Sequence, residues 1–263
     1  MNEKTKKFLF SALRIVGAIA FWVFIWFLVA KRIGLEIIFP SPSAVLHALR
    51  QLIVLPQFRT VVAASLIRVA YGIIISIAVG CILAYLISVS KVLDALFSPL
   101  LSVMKATPIA AFIVIAWLWI HTSLLPILIT ALIIIPIITS NVSQGILSVD
   151  KDLREVTKIY KFSIPKRLVR LHIPSVAPYF LAACKASLGM AWKASVSAEL
   201  LVASKNSIGY EMLRSKQGFE TAYVFAWTLV VILLSIILEK LTLALLNLLG
   251  RKLKLLRKGA PNA

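Results

Sequence analysis

Long stretches without a charged residue constrain the fold of this chain more than any other feature. Residues 69–90 form one such stretch, and residues 106–149 form another, in which 44 consecutive positions lack Asp, Glu, Lys and Arg. About 20 apolar residues in an α-helix cross the hydrocarbon core of a bilayer, so the longer stretch suits two helices with a turn at His121-Thr122-Ser123. Since 60% of the 263 residues are hydrophobic, the composition favours a helical membrane protein over a soluble domain.

The sequence predicts an all-α, polytopic membrane protein that forms a single domain over residues 1–263. The first predicted span is interpreted as retained, because Leu28-Val29-Ala30 is a poor cleavage site for a signal peptide. In the second, Gly72, Ser76 and Gly80 share one helical face, which indicates close packing against another helix. We expect about six transmembrane helices, at approximately 8–30, 61–89, 99–120, 123–147, 175–203 and 221–249.

Basic residues between the spans predict the orientation of the chain. With six spans, both termini and the loop at 150–174 lie on the same side of the membrane, and the segments on that side carry more Lys and Arg than the segments on the other. The positive-inside rule therefore places both termini and this loop in the cytoplasm. The same distribution explains the formal net charge of +19 by topology and contact with membrane lipid, and we expect no nucleic-acid partner.

The loop at 150–174 is a polar, basic segment between two apolar ones. Asp150 can cap a helix and Asp152 lies in its first turn, where the helix dipole favours an acid, while Ser163 can cap a second helix. The pattern therefore predicts two short helices. From periodicity and charge alone, a hairpin lying on anionic headgroups is as good an interpretation as a protein-docking surface. The loop carries seven basic residues: Lys151, Arg154, Lys158, Lys161, Lys166, Arg167 and Arg170.

The spacing within this loop resembles the EAA loop of bacterial ABC-importer permeases, in which Glu-Ala-Ala is followed by three residues, Gly, nine residues and Ile-x-Leu-Pro. The resemblance implies a coupling helix that docks on a separate ATP-hydrolysing subunit. Lys161 departs from the motif, because the family's Gly lets the chain turn, whereas Lys must adopt the αL conformation at a small cost or use a different turn. The matching positions are Glu155, Val156 and Thr157 for Glu-Ala-Ala, Lys161 for Gly, and Leu171, Ile173 and Pro174 in the last group.

Further motifs, in the same order along the chain, resemble one permease subgroup, the nitrate/sulfonate/taurine-type importers. They cover about residues 39–250 and imply the permease of an importer in the bacterial plasma (inner) membrane, for a small anion such as a sulfonate or nitrate, with a thiamine precursor or other small metabolite as the alternative substrate. The implied partners are a cytoplasmic ABC ATPase dimer that holds ATP and Mg, an extracytoplasmic solute-binding protein and a second permease copy. The motifs are Phe39-Pro40-Ser41-Pro42-Ser43, Ser65-Leu66-Ile67-Arg68-Val69, Lys105-Ala106-Thr107-Pro108, Trp117-Leu118-Trp119, Gly189-Met190-Ala191-Trp192-Lys193, Ala198-Glu199-Leu200 and Ile208-Gly209-Tyr210.

Charged residues within the predicted spans are the candidates for the translocation path. Lys193 and Glu199 belong to the predicted span 175–203, and charges at that depth normally face protein or water. They are interpreted either as lining the path or the seam between two permease copies, or as fixing helix packing through an ion pair. Six positions is a poor spacing for a pair within one helix, so we expect each to have its own partner. Arg68 is predicted at the outer interface, with an interior, functional position as the alternative.

The sequence lacks the patterns of an enzyme. No Gly-x-x-x-x-Gly-Lys-Ser/Thr occurs, so we expect this chain to bind no nucleotide cofactor and ATP hydrolysis to belong to the partner. The scattered histidines and the distant pair Cys81 and Cys184 predict no metal site. Two other classes stay open: an ion-coupled carrier or channel without an ATPase, for which Glu199 is nearly the only suitable acid, and a membrane-embedded enzyme.

Overall fold

The structure is a computed structural model that describes residues 3–258, apart from the side chains of residues 3–9, 11, 12, 151, 154, 158, 164, 165, 249 and 251–258. The basic head at 1–7 and the basic tail at 251–258, which contribute to the predicted orientation, lie outside the described side chains. Three of the seven basic side chains of the loop at 150–174 lie outside them as well.

Within residues 3–258 the chain forms α-helices, one π-helical turn and no β-strand, which confirms the all-α fold class. Local sequence sets several helix ends. Ser41, for example, caps the second helix by accepting a hydrogen bond from the Ala44 N–H at 3.2 Å, and Pro42 follows in the first turn, where proline is tolerated. The helices are α1 (Glu3–Ile33), α2 (Pro42–Val54), α3 (Pro56–Val89), α4 (Lys91–Ala106), α5 (Ile109–Ala116), α6 (Leu125–Leu147), α7 (Lys151–Ile159), α8 (Ile164–Arg167), α9 (Ile173–Leu201), α10 (Ile208–Gln217) and α11 (Thr221–Lys258), with the π-turn at Leu168–His172.

Contacts divide the chain into two compact units. The smaller unit contains the chain up to Val61 and Glu211–Val230, and the larger contains Val62–Tyr210 and the chain from Val231 onward. In the smaller unit, the Trp26 ring stacks on Phe225 with 5.9 Å between ring centres, next to a core of buried side chains from α2 and the start of α11. The prediction of one domain over residues 1–263 stays a prediction.

Helix α6 is the central element of the larger unit. Its buried side chains pack against α3, α9 and α11 through Ile134 and Ile138, and against α5 and the end of α9 through Leu125 and Ile129. In a lipid environment the hydrophobic effect no longer drives helices together, so their association depends on close van der Waals packing. α6 therefore stabilises the unit by how closely its neighbours fit against it.

Small residues on α3 allow α6 to approach closely, as the sequence predicts for the face of Gly72, Ser76 and Gly80. A Cβ added at Gly72 would lie 2.7 Å from Thr130 Cβ, and one at Gly80 would lie 2.9 Å from Ile138 Cβ. Both distances are shorter than ordinary contacts between carbon atoms. The close packing predicted for this face is confirmed, and its partner is α6.

Gly80→Ala is expected to lower the free energy of unfolding by about 1–3 kcal/mol, because the added methyl group forces α3 and α6 apart. Gly17→Ala is the matched control, since a Cβ there meets nothing within 4 Å. The measurement is the thermal unfolding midpoint of each purified variant in the same detergent. Equal shifts in both variants would contradict the close approach of α3 and α6 at Gly80.

The described residues contain four helices that are long and apolar enough to cross a membrane, or five if α4 and α5 together form one broken span. α9 has 29 residues, which is sufficient length, but its three charged side chains make it less apolar and it is not among the four. The chain is a multi-pass membrane protein, and the count of six spans, with α9 as the sixth, stays a prediction. The four segments are Leu13–Ile33, Pro56–Val89, Leu125–Leu147 and Thr221–Leu248.

The interval 99–120, predicted as one span, contains the end of α4 and all of α5, which count as one span if the pair is a broken helix. α4 ends at Ala106, α5 begins at Ile109, and their axes meet at 106°. Thr107 has φ −72° and ψ 126°, the extended conformation that a residue before proline prefers, and Pro108 has no N–H to continue the helix. The Thr107-Pro108 pair therefore accounts for the position of the break.

Candidate functional site

The loop at 150–174 contains the two short helices that the sequence predicts, α7 and α8. Asp150 accepts a hydrogen bond from the Asp152 N–H at 2.9 Å, which confirms its role as a helix cap. After the turn, Lys166 Nζ of α8 lies 4.3 Å from the centre of the Phe162 ring. This cation–π contact joins α8 to the segment between the two helices. The start of each short helix is thus fixed by a contact within the loop.

Lys161 forms the turn between these helices in a backbone conformation that favours glycine. Its φ is +47°, in the αL region. The Phe162 N–H donates to the Thr157 carbonyl oxygen at 3.0 Å, the hydrogen bond that closes a Schellman motif at the end of a helix. Of the two possibilities for Lys at this position, the chain therefore uses the αL turn, at a cost of about 1 kcal/mol relative to glycine.

α7 leaves its apolar side uncovered. Leu153 and Val156 are about half exposed, and Ile159 and Tyr160 are more exposed still, at 74% and 73%. Of the residues at the motif's Glu-Ala-Ala positions, Glu155 and Val156 are exposed and Thr157 is buried. An amphipathic helix whose apolar side remains exposed offers a surface for a partner.

The last part of the loop continues directly into α9. The backbone stays helical from Ile164 through the π-turn to Leu201, and the Ile173 N–H donates to the Leu168 carbonyl, five residues back. Pro174 follows at once, and because proline cannot donate and crowds the preceding turn, a π-turn is a natural way to accommodate it. Leu171 is buried, whereas Ile173 is exposed. The Ile-x-Leu-Pro end of the motif thus forms one helical rod with α9.

At the opposite end of α9, Glu199 forms a buried ion pair with Arg68 of α3. The Glu199 side chain is fully buried, and its Oε1 lies 3.2 Å from Arg68 Nη1. Its Oε2 accepts a hydrogen bond from Ser65 Oγ at 2.8 Å. The same Arg68 guanidinium donates to the backbone carbonyls of Lys205, at 3.0 Å, and Asn206, at 3.2 Å. The cluster therefore joins α3, α9 and the segment after α9.

The backbone after α9 is shaped to meet this cluster. The Ser204 N–H donates to the Glu199 carbonyl at 3.1 Å, and Ala203, between them in the chain, has a φ of +50°. The turn brings the start of α10 so close that a Cβ on Gly209 would lie 2.3 Å from the Leu200 nitrogen. Only glycine fits there. The motif Ile208-Gly209-Tyr210 thus begins a helix packed on the end of α9.

The structure pairs Glu199 with Arg68, a combination that the sequence interpretation did not make. The Arg68 side chain is 16% exposed and faces the protein interior, as in the alternative considered for it, while its predicted position at the outer interface stays a prediction. Of the two partners expected for Lys193 and Glu199, the structure provides the one for Glu199, whereas the Lys193 side chain is exposed and has no partner among the described residues. A signal for this pair was present in the sequence. Two of the subgroup motifs each place one charged residue, Arg68 in one and Glu199 in the other, inside an apolar stretch, and the two charges have opposite sign.

Lys193 lines a pocket of about 320 Å³ between α3, α9 and α11. Lys185, two turns earlier on α9, lines the same pocket, as does Glu239 of α11. No hydrogen bond or ion pair joins the ammonium group of either lysine to another described residue. Among the described residues, no group of three or more His, Cys, Asp or Glu could hold a metal ion.

Comparison with known proteins identifies several permeases that are similar to this chain. A permease protein for aliphatic sulfonates transport, SsuC of Bacillus subtilis, is 28% identical over 217 residues, which cover 82% of this chain and 77% of that protein. The nitrate import permease protein NrtB of a Synechocystis species is 29% identical over 205 residues, which cover 73% of each protein. The bicarbonate transport system permease protein CmpB of Synechococcus elongatus is 26% identical over 151 residues, which cover 56% of this chain and 53% of that protein.

A family match covers most of the chain. Residues 72–255 match the sequence profile of the family described as binding-protein-dependent transport system inner membrane component. The matched region includes the loop at 150–174 and all of α9. The resemblance stated from the loop and the subgroup motifs is thereby confirmed. The chain belongs to the family of binding-protein-dependent transport system inner membrane components, the permeases of ABC importers.

Proposed function

We propose that this chain is the permease subunit of an ATP-driven importer for a small anion, such as a sulfonate or nitrate, and that the loop at 150–174 couples it to a separate ATPase. The exposed apolar side of α7 is the observation that carries the proposal. Two copies of the chain form a homodimer in the inner membrane, with both termini in the cytoplasm. A cytoplasmic ATPase dimer holds ATP and Mg, and an extracytoplasmic solute-binding protein delivers the substrate.

The exposed side of α7 suits a groove on a protein better than an anionic membrane surface. Leu153, Val156 and Tyr160 stand at positions i, i+3 and i+7, the anchors of an amphipathic helix that docks in a groove. Asp152 and Glu155 are exposed on the same short helix, and their carboxylates partly offset the attraction of its basic residues to anionic headgroups. The spacing of the apolar anchors, and not the net charge of the loop, favours the protein partner over the headgroup alternative.

The helical continuity of α8, the π-turn and α9 supports a mechanical role for the loop. When the ATPase subunits close on ATP, a loop docked on them moves with them, and α9 follows because no flexible segment separates the two. The buried Arg68–Glu199 pair then carries the displacement from the far end of α9 to α3. Alternating access follows if these helices have two stable arrangements.

The names of similar permeases support an anionic substrate. The three relatives described above are named for aliphatic sulfonates, nitrate and bicarbonate, which are all anions. A thiamine precursor or another small metabolite is the alternative. These two substrate classes are separated by measuring uptake by the assembled transporter with an anion, and then with a thiamine precursor or other small metabolite, as the competitor.

An ion-coupled carrier without an ATPase requires an intramembrane acid that binds and releases an ion. Glu199 was the candidate for this role. Its carboxylate is fully buried and is engaged by Arg68 and Ser65, which is the arrangement of a structural pair. The geometry therefore favours the ATP-driven importer over the carrier.

The test places a photocrosslinking residue directly after the last residue of α7 in the tagged chain in its native host. Tyr160→p-benzoylphenylalanine is expected to crosslink to a P-loop ATPase, which mass spectrometry identifies and which co-purifies in about equal amount. Val54→p-benzoylphenylalanine, at an equally exposed position that is predicted to lie on the outer side, is the control and is expected not to reach the ATPase. Crosslinks from position 160 to lipid alone, or purification of the chain without an ATPase, would contradict the proposed coupling.

A further inference from the structure

One side of α9 carries a row of three exposed polar residues and one glycine. Lys185, Gly189, Lys193 and Ser197 follow one another at four-residue steps, which places them along one ridge of the helix. Lys185, Lys193 and Ser197 are exposed, and a Cβ at Gly189 would meet nothing within 4 Å. The row extends about 18 Å along the helix axis at 1.5 Å per residue. The opposite side of α9 is buried against α6 and its neighbours.

Two lysines inside a helix that is predicted to span the membrane require an explanation. A lysine that faces lipid is costly, so charged side chains in membrane helices normally face a protein partner or a water-filled cavity. Neither lysine side chain forms a hydrogen bond or ion pair within the described part of the chain. If the row formed a dry seam with a second copy of α9, the lysines of both copies would be brought together, and Glu239 in each copy would offset only part of their charge. A wetted surface is the arrangement that the two charges favour.

The pocket beside this row has an excess of positive charge. Its charged lining residues are Lys185, Lys193 and Glu239, so one positive charge is left over, and most of its other walls are apolar. Apolar walls lower the local dielectric constant and thereby strengthen the attraction of a lysine for an anion. The pocket therefore attracts a small anion from the adjoining water.

We propose that Lys185 and Lys193 form an anion-attracting row along α9 that contacts the transported anion at two successive positions. The proposal rests on the proposed function, and it specifies the ligand as a small oxyanion of the sulfonate, nitrate or bicarbonate class. The two lysines are attached to α9 at positions about 12 Å apart along the helix axis. An ammonium group is a strongly hydrated point charge, whereas arginine binds an oxyanion through two parallel hydrogen bonds. Lysine is therefore suited to a path on which the anion must also be released.

The first test measures the electrostatics of this surface without the natural substrate. Ser197→Cys is introduced into the full transporter in which Cys81→Ala and Cys184→Ala remove the native thiols. Its rate of modification is measured with the negatively charged sulfonatoethyl methanethiosulfonate and the positively charged trimethylammonioethyl methanethiosulfonate, each relative to a free thiol. We expect the ratio of the two rates to favour the negative reagent and to fall about tenfold in Lys193→Gln, because one turn separates the two side chains.

Two further variants control this measurement. Lys193→Arg keeps the charge and is expected to keep the ratio. Lys240→Gln removes an exposed charge of α11 that does not line the pocket and is also expected to leave the ratio unchanged. The inference is overturned if neither reagent reaches Cys at position 197 from either side of the membrane, or if Lys185→Gln and Lys193→Gln both leave the ratio unchanged.

The second test measures uptake of nitrate, ethanesulfonate and bicarbonate by the assembled transporter. Lys185→Gln and Lys193→Gln are each expected to reduce uptake at least tenfold, while Lys240→Gln stays within twofold of the unaltered protein. If the unaltered transporter carries an anion and both lysine variants carry it equally well, this inference is wrong and the proposed function stands. If the thiol reagents show the anion preference but none of the three anions is taken up, the proposed substrate class is wrong and the electrostatic assignment stands.

Discussion

Arg68→Ala is expected to lower the free energy of unfolding by about 3–5 kcal/mol, which corresponds to a fall in the unfolding midpoint on the order of 10 °C. The reason is that Glu199 has no exposed surface, so removal of the guanidinium leaves a carboxylate buried without its counter-charge. Two backbone carbonyls, of Lys205 and Asn206, lose their donors at the same time. The measurement is the thermal unfolding midpoint of the purified chain in detergent, monitored as the fraction of the chain that remains monodisperse.

The chain offers a matched control for this result. Arg214 also pairs with a glutamate, Glu211, but the distance is 3.7 Å and the Arg214 side chain is 69% exposed. Because exposed pairs contribute little, Arg214→Ala is expected to change stability by less than about 1 kcal/mol. Equal effects of Arg68→Ala and Arg214→Ala would contradict the buried pair.

A double variant separates the pair itself from the charge that its loss exposes. Arg68→Met combined with Glu199→Leu replaces both charges by apolar side chains of similar length, and we expect it to recover most of the stability lost in Arg68→Ala. Failure to recover would mean that the hydrogen bonds to Ser65 and to the 205–206 backbone, more than the ion pair, hold this end of α9.

Features set by neighbouring residues could be predicted from the sequence, because the chemistry that determines them is local. Ser41 and Asp150 cap helices and Thr107-Pro108 breaks one, and the glycine position of the motif locates a turn at Lys161, for which the sequence left open the αL conformation that the structure has. In each case the side chain and the backbone it affects lie within a few positions. Local rules of this kind predict where a helix begins and ends.

Features that depend on distant residues could not be predicted in the same way. The four-residue spacing of Gly72, Ser76 and Gly80 indicated a close contact, but nothing in it selected α6 as the partner. Arg68 and Glu199 are 131 positions apart, and their pairing depends on how α3 and α9 pack. The 106° angle between α4 and α5 likewise depends on packing, although the position of the break does not.

Glu155→Ala is expected to leave the chain inserted and folded but to reduce transport-coupled ATP hydrolysis at least tenfold. Glu155 is exposed beside the apolar anchors of α7, where its carboxylate can accept a charge-assisted hydrogen bond from the docked ATPase, an interaction of about 1.5–3 kcal/mol. Asp152→Ala is the matched control, because it removes an exposed carboxylate from the same helix, one turn away and outside the motif. The measurement compares ATP hydrolysis and substrate uptake of the reconstituted transporter, together with the amount of ATPase that co-purifies.

Pro174→Gly tests the same loop at its other end and separates docking from transmission. Glycine restores a backbone N–H and adds flexibility where the π-turn meets α9, so the loop can move without carrying α9 along. We therefore expect Pro174→Gly to retain the ATPase but to hydrolyse ATP without matching uptake, whereas Glu155→Ala loses the ATPase itself. If both variants transport and hydrolyse ATP normally, the loop at 150–174 does not couple the two subunits. If both lose the ATPase, the loop docks, but its rigid connection to α9 is not what transmits the motion.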